Sequence, residues 1–309
     1  MLLNLPEPTV IAVPAFVLLC LAEMIYGWKT GRAHFESRDT YTSLVMGLGS
    51  TVSGALTASI AAISAYWIWD NLRLFDLGQA PWVFVLAFVL DDFAYYWLHR
   101  YGHRVRWMWA AHVTHHSSQH YNLTTALRQT WTGQFTPGAL FKIPLIILGV
   151  HPAIILFVAG INLIYQFWVH TEAIRRMPRW FEAIMNTPSH HRVHHANNPQ
   201  YLDSNYAGVF IIWDKLFGTF VPEDDAEPVR YGLVHDLGTF NPLRVAFHEW
   251  WGIIKDIRGA RTLHDKFMFL FAPPGWTPDG SRKTSDMLKE EWLARQRAGK
   301  RGAEHPAVE

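Results

Sequence analysis

Cysteine is almost absent from this chain, since Cys20 is the only one among its 309 residues. A single cysteine cannot form an intramolecular disulfide, and it cannot supply the several thiolates of a cysteine metal site. If the chain binds a metal ion, other side chains must therefore hold it.

An excess of either charge is also missing. The 27 Lys and Arg residues nearly balance the 26 Asp and Glu residues, for a formal net charge of +1 at pH 7. Proteins that bind nucleic acid usually carry a clear basic surplus, so no nucleic-acid partner is expected. Hydrophobic residues, by contrast, make up 50% of the chain, whose length suits one functional unit with a sizeable core.

The hydrophobic residues are concentrated in long runs. Three runs, from about Thr9 to Trp28, Leu44 to Trp69 and Pro81 to Leu98, are long enough to cross a membrane as helices. The first has no basic leader and no small-residue cleavage site, so we predict a retained helix and not a signal peptide. A further apolar stretch, 136–169, is broken by proline and glycine and predicts a hairpin of two short or tilted helices. The expected fold is all-α, a polytopic membrane bundle of about four to five apolar helices capped by a cytosolic histidine-rich domain.

The composition changes along the chain. No segment after His170 reaches spanning length, and Trp, Pro and charged residues become common there. We predict three regions: N-terminal transmembrane helices in 1–80, a membrane-embedded and cytosolic histidine-rich catalytic region in 81–220, and a C-terminal cytosolic segment with a polar tail in 221–309.

Basic residues in the short loops predict the orientation in the membrane. Three lie between the first two apolar runs, one lies between the second and third, and four follow the third: Lys29, Arg32 and Arg38; Arg73; Arg100, Arg104, Arg106 and Arg128. Because loops rich in Lys and Arg stay in the cytoplasm, the N-terminus is expected outside and the histidine clusters on the cytoplasmic face.

Histidine is the most unevenly distributed residue. Ten of the 17 histidines lie in two stretches, His99 to His120 and His190 to His195. They form three motifs, which we call the first, second and third boxes: His99 and His103; His112, His115 and His116; His191, His194 and His195. On a helix, spacings of three and four residues place imidazoles on one side. Eight imidazoles suffice for two metal ions with open positions, although imidazole suits Fe, Cu and Zn alike.

Other metal-dependent classes fit the pattern less well. The His-Glu-x-x-His motif of zinc proteases is missing, because neither His248-Glu249 nor His170-Thr-Glu172 has a second histidine at the required spacing. Haem usually takes isolated axial histidines on facing helices. A metal transporter needs polar residues through its spans, whereas these histidines lie at helix ends and in loops. The transporter and a membrane-bound zinc hydrolase remain as alternatives.

Two adjacent carboxylates, Asp91 and Asp92, lie inside the third apolar run, where an ionised group needs a partner. Asp92 precedes His99 by about two helical turns. Its carboxylate is therefore expected to orient a metal-binding imidazole by a hydrogen bond to that ring. The alternative is a hydrogen bond between packed helices.

The boxes also carry a resemblance to a known family. Their order, on a chain with several apolar spans, resembles the fatty acid hydroxylase and sterol desaturase superfamily, and Asp92 to Arg100 is similar to its first box. The segments 167–171, 186–195, 205–206 and 212–220 resemble the alkylglycerol monooxygenase branch. The resemblance covers roughly Asp91 to Trp276.

This resemblance implies a non-haem di-iron centre that uses dioxygen to hydroxylate a lipid C–H bond and reduces the second oxygen atom to water. It implies as iron ligands the eight box histidines, with His170 as a ninth and His190 as a possible tenth: His99, His103, His112, His115, His116, His191, His194 and His195. The branch acts on alkylglycerol ether lipids with tetrahydrobiopterin as electron donor, but no pterin-binding motif is evident here. Hydroxylation or desaturation of a sterol, fatty acyl chain or aminolipid stays open as an alternative.

Overall fold

The computed structural model describes residues 5–304, and the side chains up to residue 298. Within this part the chain is helical, and its one β-type pairing is an isolated bridge between Met185 and Phe210. The predicted all-α class is confirmed. The polar tail beyond residue 304 lies outside the described residues.

Each of the three long apolar runs forms a single helix: α1 (Pro8–Thr30), α2 (Ser37–Leu72) and α3 (Pro81–Arg104). Proline occupies the first turn of α1 and of α3, where its missing N–H has no acceptor to lose. All three are long and apolar enough to cross a membrane. Most apolar side chains of α1 and α2 face outward, with only 6% of the most apolar window of α2 buried. Exposure of so large an apolar surface to water is unfavourable, which indicates an integral membrane protein.

The interrupted stretch 136–169 contains the predicted pair of short helices. A 3₁₀ segment (Pro137–Lys142) continues into a short α-helix (Ile143–Leu148), and a second helix runs from Pro152 to Trp168. The turn between them requires Gly149, whose φ is 109° and whose added Cβ would lie 2.3 Å from the carbonyl oxygen of Phe75. The hairpin therefore packs tightly against the loop that joins α2 to α3.

Shorter helices complete the described chain. They are α4 (Arg106–His116), α5 (Leu123–Ala126), α6 (Ile143–Leu148), α7 (Pro152–Trp168), α8 (Arg179–Glu182), α9 (Pro188–His194), α10 (Ile212–Leu216), α11 (Pro242–Gly259), α12 (Leu263–Phe271) and α13 (Ser285–Glu304), with a further 3₁₀ turn at Gly133–Phe135.

The apolar core lies between α3 and α7, where Val83, Ala87, Ile154 and Val158 are buried. α1 joins α7 from the other side through a stacked ring pair, Phe16 and Phe167, with centroids 4.1 Å apart. This packing fixes the end of α3, the beginning of α4 and the end of α7 relative to one another. The histidines lie at that junction.

α11 and α12 pack on α4 and cover it. Arg106, at the start of α4, is buried and donates to Glu249 and Asp256 of α11 over 2.6 Å each. A buried arginine needs such paired carboxylates, because desolvation of an unpaired charge is costly. The C-terminal helices thus hold the second box in place.

Candidate metal centre

The first and second boxes are carried by consecutive helices. His99 and His103 are one turn apart at the end of α3, and α4 carries His112, His115 and His116 in its last two turns. α3 and α4 are separated only by Val105, so the two boxes face each other. The third box follows on α9, which begins at Pro188 and has His195 as its C-cap.

Nine histidines come together in two groups, and within each group the candidate ligand atoms all lie within 4.8 Å of one another. We call these the five-histidine group and the four-histidine group: His99, His103, His112, His116 and His194; His115, His170, His191 and His195. The groups adjoin, since the His116 and His195 rings stack at 4.4 Å. Both can therefore belong to one binuclear centre.

Backbone carbonyls fix the orientation of the rings. The Nδ1 atoms of His99, His170 and His194 lie 2.7, 2.7 and 2.9 Å from the carbonyl oxygens of Tyr206, Gln166 and Ser204. A carbonyl can only accept, so Nδ1 carries the proton and Nε2 keeps its lone pair. These rings thus present Nε2 as a metal donor.

The geometry of the Nε2 atoms tests whether a cation fits. The Nε2 of His99 lies 2.9 Å from that of His112, and the Nε2 of His170 lies 3.1 Å from that of His115. Facing lone pairs repel unless a cation lies between them. The Nε2 atoms of His103 and His194 are also buried and have no hydrogen-bond partner among the described residues, which is costly for a polar atom that binds nothing. Converging neutral imidazoles of this kind fit two transition-metal ions.

Burial keeps the imidazoles neutral. It lowers the pKa of His115 to about 4, and it lowers the pKa values of His116, His191, His194 and His195 well below 6.5, with neighbouring histidines adding to the shift. A protonated imidazole cannot ligate a metal, so neutrality at pH 7 is the state that binding requires.

His170 and His190 differ in position. His170, just after α7, joins the four-histidine group. His190 lies outside both groups. Its ring packs edge-on against Phe220 with centroids 5.3 Å apart, and within residues 5–298 its buried Nδ1 has no hydrogen-bond partner. At about 100° per residue, His190 points roughly 90° away from the side of α9 that carries the third box.

Asp92 of α3 binds a neighbouring helix and a distant loop. Its carboxylate accepts hydrogen bonds from the backbone N–H groups of Val209 and Phe210 and from the side chains of Asn162 and Trp213, at 2.8–3.0 Å. None of its hydrogen-bond partners in the described residues is a histidine. Asn162 lies on α7, so the bond it donates is the second of the two expected arrangements, a hydrogen bond between packed helices. Asp91 pairs with Lys142.

The loop before α10 orients the imidazoles of His99 and His194 through the carbonyls of Tyr206 and Ser204. Gly208 lets it pass over Asp92, since a Cβ there would lie 2.8 Å from the carboxylate. Asp214 accepts from the N–H groups of Tyr206 and Ala207 at 2.8 Å each. Two buried carboxylates thus fix the loop whose Tyr206 carbonyl holds His99.

Sequence reasoning missed a second set of buried polar residues. Arg128, which is 1% exposed, donates to Asp39 over 2.6 Å, and its carbonyl lies 3.2 Å from Nδ1 of His115. Glu23 of α1 accepts from the N–H of Leu123 and from the hydroxyl of Thr171, which follows His170. A lone carboxylate inside an apolar span is itself a signal of function or packing, so Glu23 could have been found.

A cavity of about 280 Å³ adjoins the histidine groups. His103, His116, His194 and His195 line it, together with residues from the C-terminal third of the chain that include Leu233, His235, His248 and Lys283. Imidazoles from both groups therefore border a space large enough for a small molecule.

Residues 84–219, which contain all three boxes, match the fatty acid hydroxylase family. An alkylglycerol monooxygenase of Homo sapiens is 42% identical over 281 residues, 90% of this chain and 62% of that protein. An ornithine lipid hydroxylase of Rhizobium tropici is 30% identical over 144 residues, 46% of this chain and 43% of that protein.

The chain spans about three fifths of the length of the human relative and of an alkylglycerol monooxygenase of Danio rerio, which is 42% identical over 88% of this chain. No solved structure matches the chain. Residues 84–219 carry the histidines of both groups. The identity to the two alkylglycerol monooxygenases extends well beyond these residues. Residues 84–219 therefore form a fatty acid hydroxylase domain.

Proposed function

We propose that the chain is a membrane-bound lipid monooxygenase whose two histidine groups hold two iron ions. The convergence of nine buried or half-buried imidazoles in two adjoining groups carries the proposal. Zinc is bound by four ligands in a structural site and by three in a catalytic one, so a five-histidine group suits iron better. Bound iron would supply the redox chemistry that activates dioxygen for attack on a C–H bond.

The chain's own residues hold the ligands and exclude water. Tyr121 and Tyr206 are each 1% exposed, and their rings pack on His195 and His103 at 5.1 and 5.3 Å. A reaction that breaks an aliphatic C–H bond needs such a dry enclosure, because water would compete with the substrate.

We propose an alkylglycerol ether as the substrate. Identity to the alkylglycerol monooxygenases extends over about 90% of the chain, whereas it extends over 46% for the ornithine lipid hydroxylase and 50% for a cholesterol 25-hydroxylase-like protein of Danio rerio. Hydroxylation of the carbon next to the ether oxygen gives a hemiacetal, which falls apart to a fatty aldehyde and glycerol. The step consumes dioxygen, two electrons and two protons and releases one water, so an electron donor is required, for which we propose tetrahydrobiopterin.

The substrate proposal predicts an aldehyde product. Membranes that contain the chain, given an alkylglycerol, dioxygen and tetrahydrobiopterin, should form a fatty aldehyde, detected by mass spectrometry after trapping. A monoacylglycerol of equal chain length is the control. Its acyl carbonyl carbon takes the place of the alkyl carbon next to the ether oxygen and carries no hydrogen that could be replaced. Oxygen consumption with another lipid, but never aldehyde from the ether, would leave the oxygenase in place and refute the ether-lipid substrate.

We also propose that the histidine groups face the cytoplasm. The support is the basic loop between α1 and α2 together with Arg104 and Arg106 near the boxes, against Arg73 alone between α2 and α3. Single cysteines at the exposed positions Arg38 and Gln129, in a Cys20→Ala background, should resist a membrane-impermeant thiol reagent in intact cells. A cysteine at Gln79, which is also exposed, should react. Labelling of Gln129→Cys from outside the cell would show that the orientation is the reverse of the one proposed.

A further inference from the structure

The outward side of α11 is apolar and uncovered by other described residues. Leu243, Phe247, Trp251 and Ile254 are 62%, 44%, 64% and 41% exposed. At about 100° per residue these four side chains share one narrow side of the helix. The opposite side packs inward through Val245, Ala246 and Ile253. The exposed residues are therefore not a by-product of core packing.

α12 repeats this arrangement. Leu263, Phe267 and Phe271 are 83%, 57% and 39% exposed and lie one turn apart in succession, while Phe269 is buried. α12 packs against α11. Together the seven exposed residues of α11 and α12 form what we call the C-terminal apolar face.

The C-terminal apolar face is continuous with the membrane-facing surface of α2. The Phe247 ring lies 6.3 Å from the Trp131 ring, and Nε1 of Trp131 donates to the carbonyl of Met46 over 2.9 Å. On the same part of α2, Leu44 and Leu48 are 50% and 69% exposed.

It is also continuous with apolar residues beside α3. The Phe271 ring lies 5.9 Å from Trp107, whose Nε1 donates to the carbonyl of Phe135 over 2.9 Å. Phe135 and Leu140 are 62% and 59% exposed. Exposed apolar residues therefore extend from α2 across α11 and α12 to the neighbourhood of α3.

Basic residues border the C-terminal apolar face. Five are exposed and have no ion-pair partner within the part of the chain that the structure describes: Arg244, Lys255, Arg258, Arg261 and Lys266. The acidic residues Glu249 and Asp256 of α11 point inward instead, where they pair with Arg106. Apolar residues bordered by unpaired cations complement a bilayer surface that carries anionic headgroups.

We propose that α11 and α12 lie in the membrane interface, with the C-terminal apolar face among the outer acyl carbons and the bordering basic residues on anionic phospholipid headgroups. This inference rests on the membrane embedding of α1 to α3 and is independent of the iron and of the substrate. A second copy of the chain is the competing occupant, but the unpaired cations and the continuity with α2 favour lipid.

The test measures where each position lies in a bilayer. Full-length Cys20→Ala protein is placed in liposomes of phosphatidylcholine and phosphatidylglycerol, with one nitroxide label at Trp251→Cys or Phe267→Cys. Dissolved oxygen should relax both labels more strongly than a water-soluble nickel chelate, because oxygen concentrates in the bilayer. Leu48→Cys on α2 is the lipid-facing control, and Glu290→Cys, exposed on the polar helix α13, is the aqueous control.

The alternatives give different results. Stronger relaxation by nickel at positions 251 and 267 would place the face in water and overturn the proposal. Labels that neither reagent reaches would show a protein partner, such as a second copy, and would overturn it as well. For the headgroup contact, Arg258→Glu with Arg261→Glu should reduce the oxygen preference at Trp251→Cys in liposomes with phosphatidylglycerol and leave it unchanged in phosphatidylcholine alone. An unchanged preference in both would refute that contact.

Discussion

Replacement of His191 by alanine should reduce oxygen-dependent lipid oxidation to background and lower the iron bound per chain. The Nε2 of His191 lies 3.0 Å from that of His170 and 3.2 Å from that of His195, at the centre of the four-histidine group. Its loss leaves three imidazoles there. Residues that merely support a metal ligand cost about 10- to 100-fold in affinity or activity when removed, and we expect a larger loss for the ligand itself.

In the five-histidine group, His103→Ala should lower the bound iron less than His191→Ala does, because four imidazoles remain. Iron per chain is measured by elemental analysis of purified protein, beside product formation in membranes.

Two histidines serve as controls. His264, whose side chain is 73% exposed on α12, should be replaceable without effect. His190 is the sharper control, because it adjoins His191 in sequence but lies outside both groups, and His190→Ala should keep both irons. Full activity in His191→Ala and His194→Ala would refute the centre, and purified protein with zinc alone would favour a hydrolase.

Replacement of Arg128 by methionine should lower the free energy of unfolding by about 3–5 kcal/mol, the usual result of removing one partner of a buried ion pair. Arg128 donates to Asp39 over 2.6 Å and to Ser117 over 3.1 Å, and Ser118 donates to Asp39 over 2.5 Å. Without the arginine, the Asp39 carboxylate remains buried and lacks its cation.

A double-mutant cycle separates the ion pair from simple loss of packing. Asp39→Asn combined with Arg128→Met should recover much of the loss, because no unpaired charge remains buried. Denaturation of detergent-solubilised protein provides the measurement. If the free energy of unfolding of Arg128→Met lies within about 0.5 kcal/mol of that of the parent chain, the ion pair does not stabilise the fold.

The three boxes could be predicted because their geometry is local. A spacing of four residues on a helix keeps two side chains on one side, so His112 and His116 share one group, and His191 and His195 share the other. The third member of each of these boxes, His115 or His194, is rotated away and joins the opposite group. Spacing alone does not tell which group a box serves, because that depends on how α3, α4 and α9 pack.

Asp92 shows where sequence reasoning reaches only part of the answer: the hydrogen bond to a packed helix, from Asn162 of α7, was one of its two expectations, but the loop contacts were not. Its distance from His99 along α3 suggested a local partner, yet its backbone partner Val209 is 117 residues away. Long-range hydrogen bonds of this kind leave no periodicity in a sequence. The apolar helices, in contrast, follow from composition, and the exposed apolar side of α11 and α12 emerges only when burial is known, since the same residues would suit a core.

The distribution of the candidate ligands along the chain also bears on how the protein matures. During synthesis the first two boxes leave the ribosome well before α9, and the carbonyls of Ser204 and Tyr206 that orient His194 and His99 follow later still. Neither histidine group is complete until α9 has been synthesised, so only then can a full group hold a metal ion. Because backbone carbonyls already orient His99, His170 and His194, chain made in iron-starved cells should take up iron afterwards without refolding.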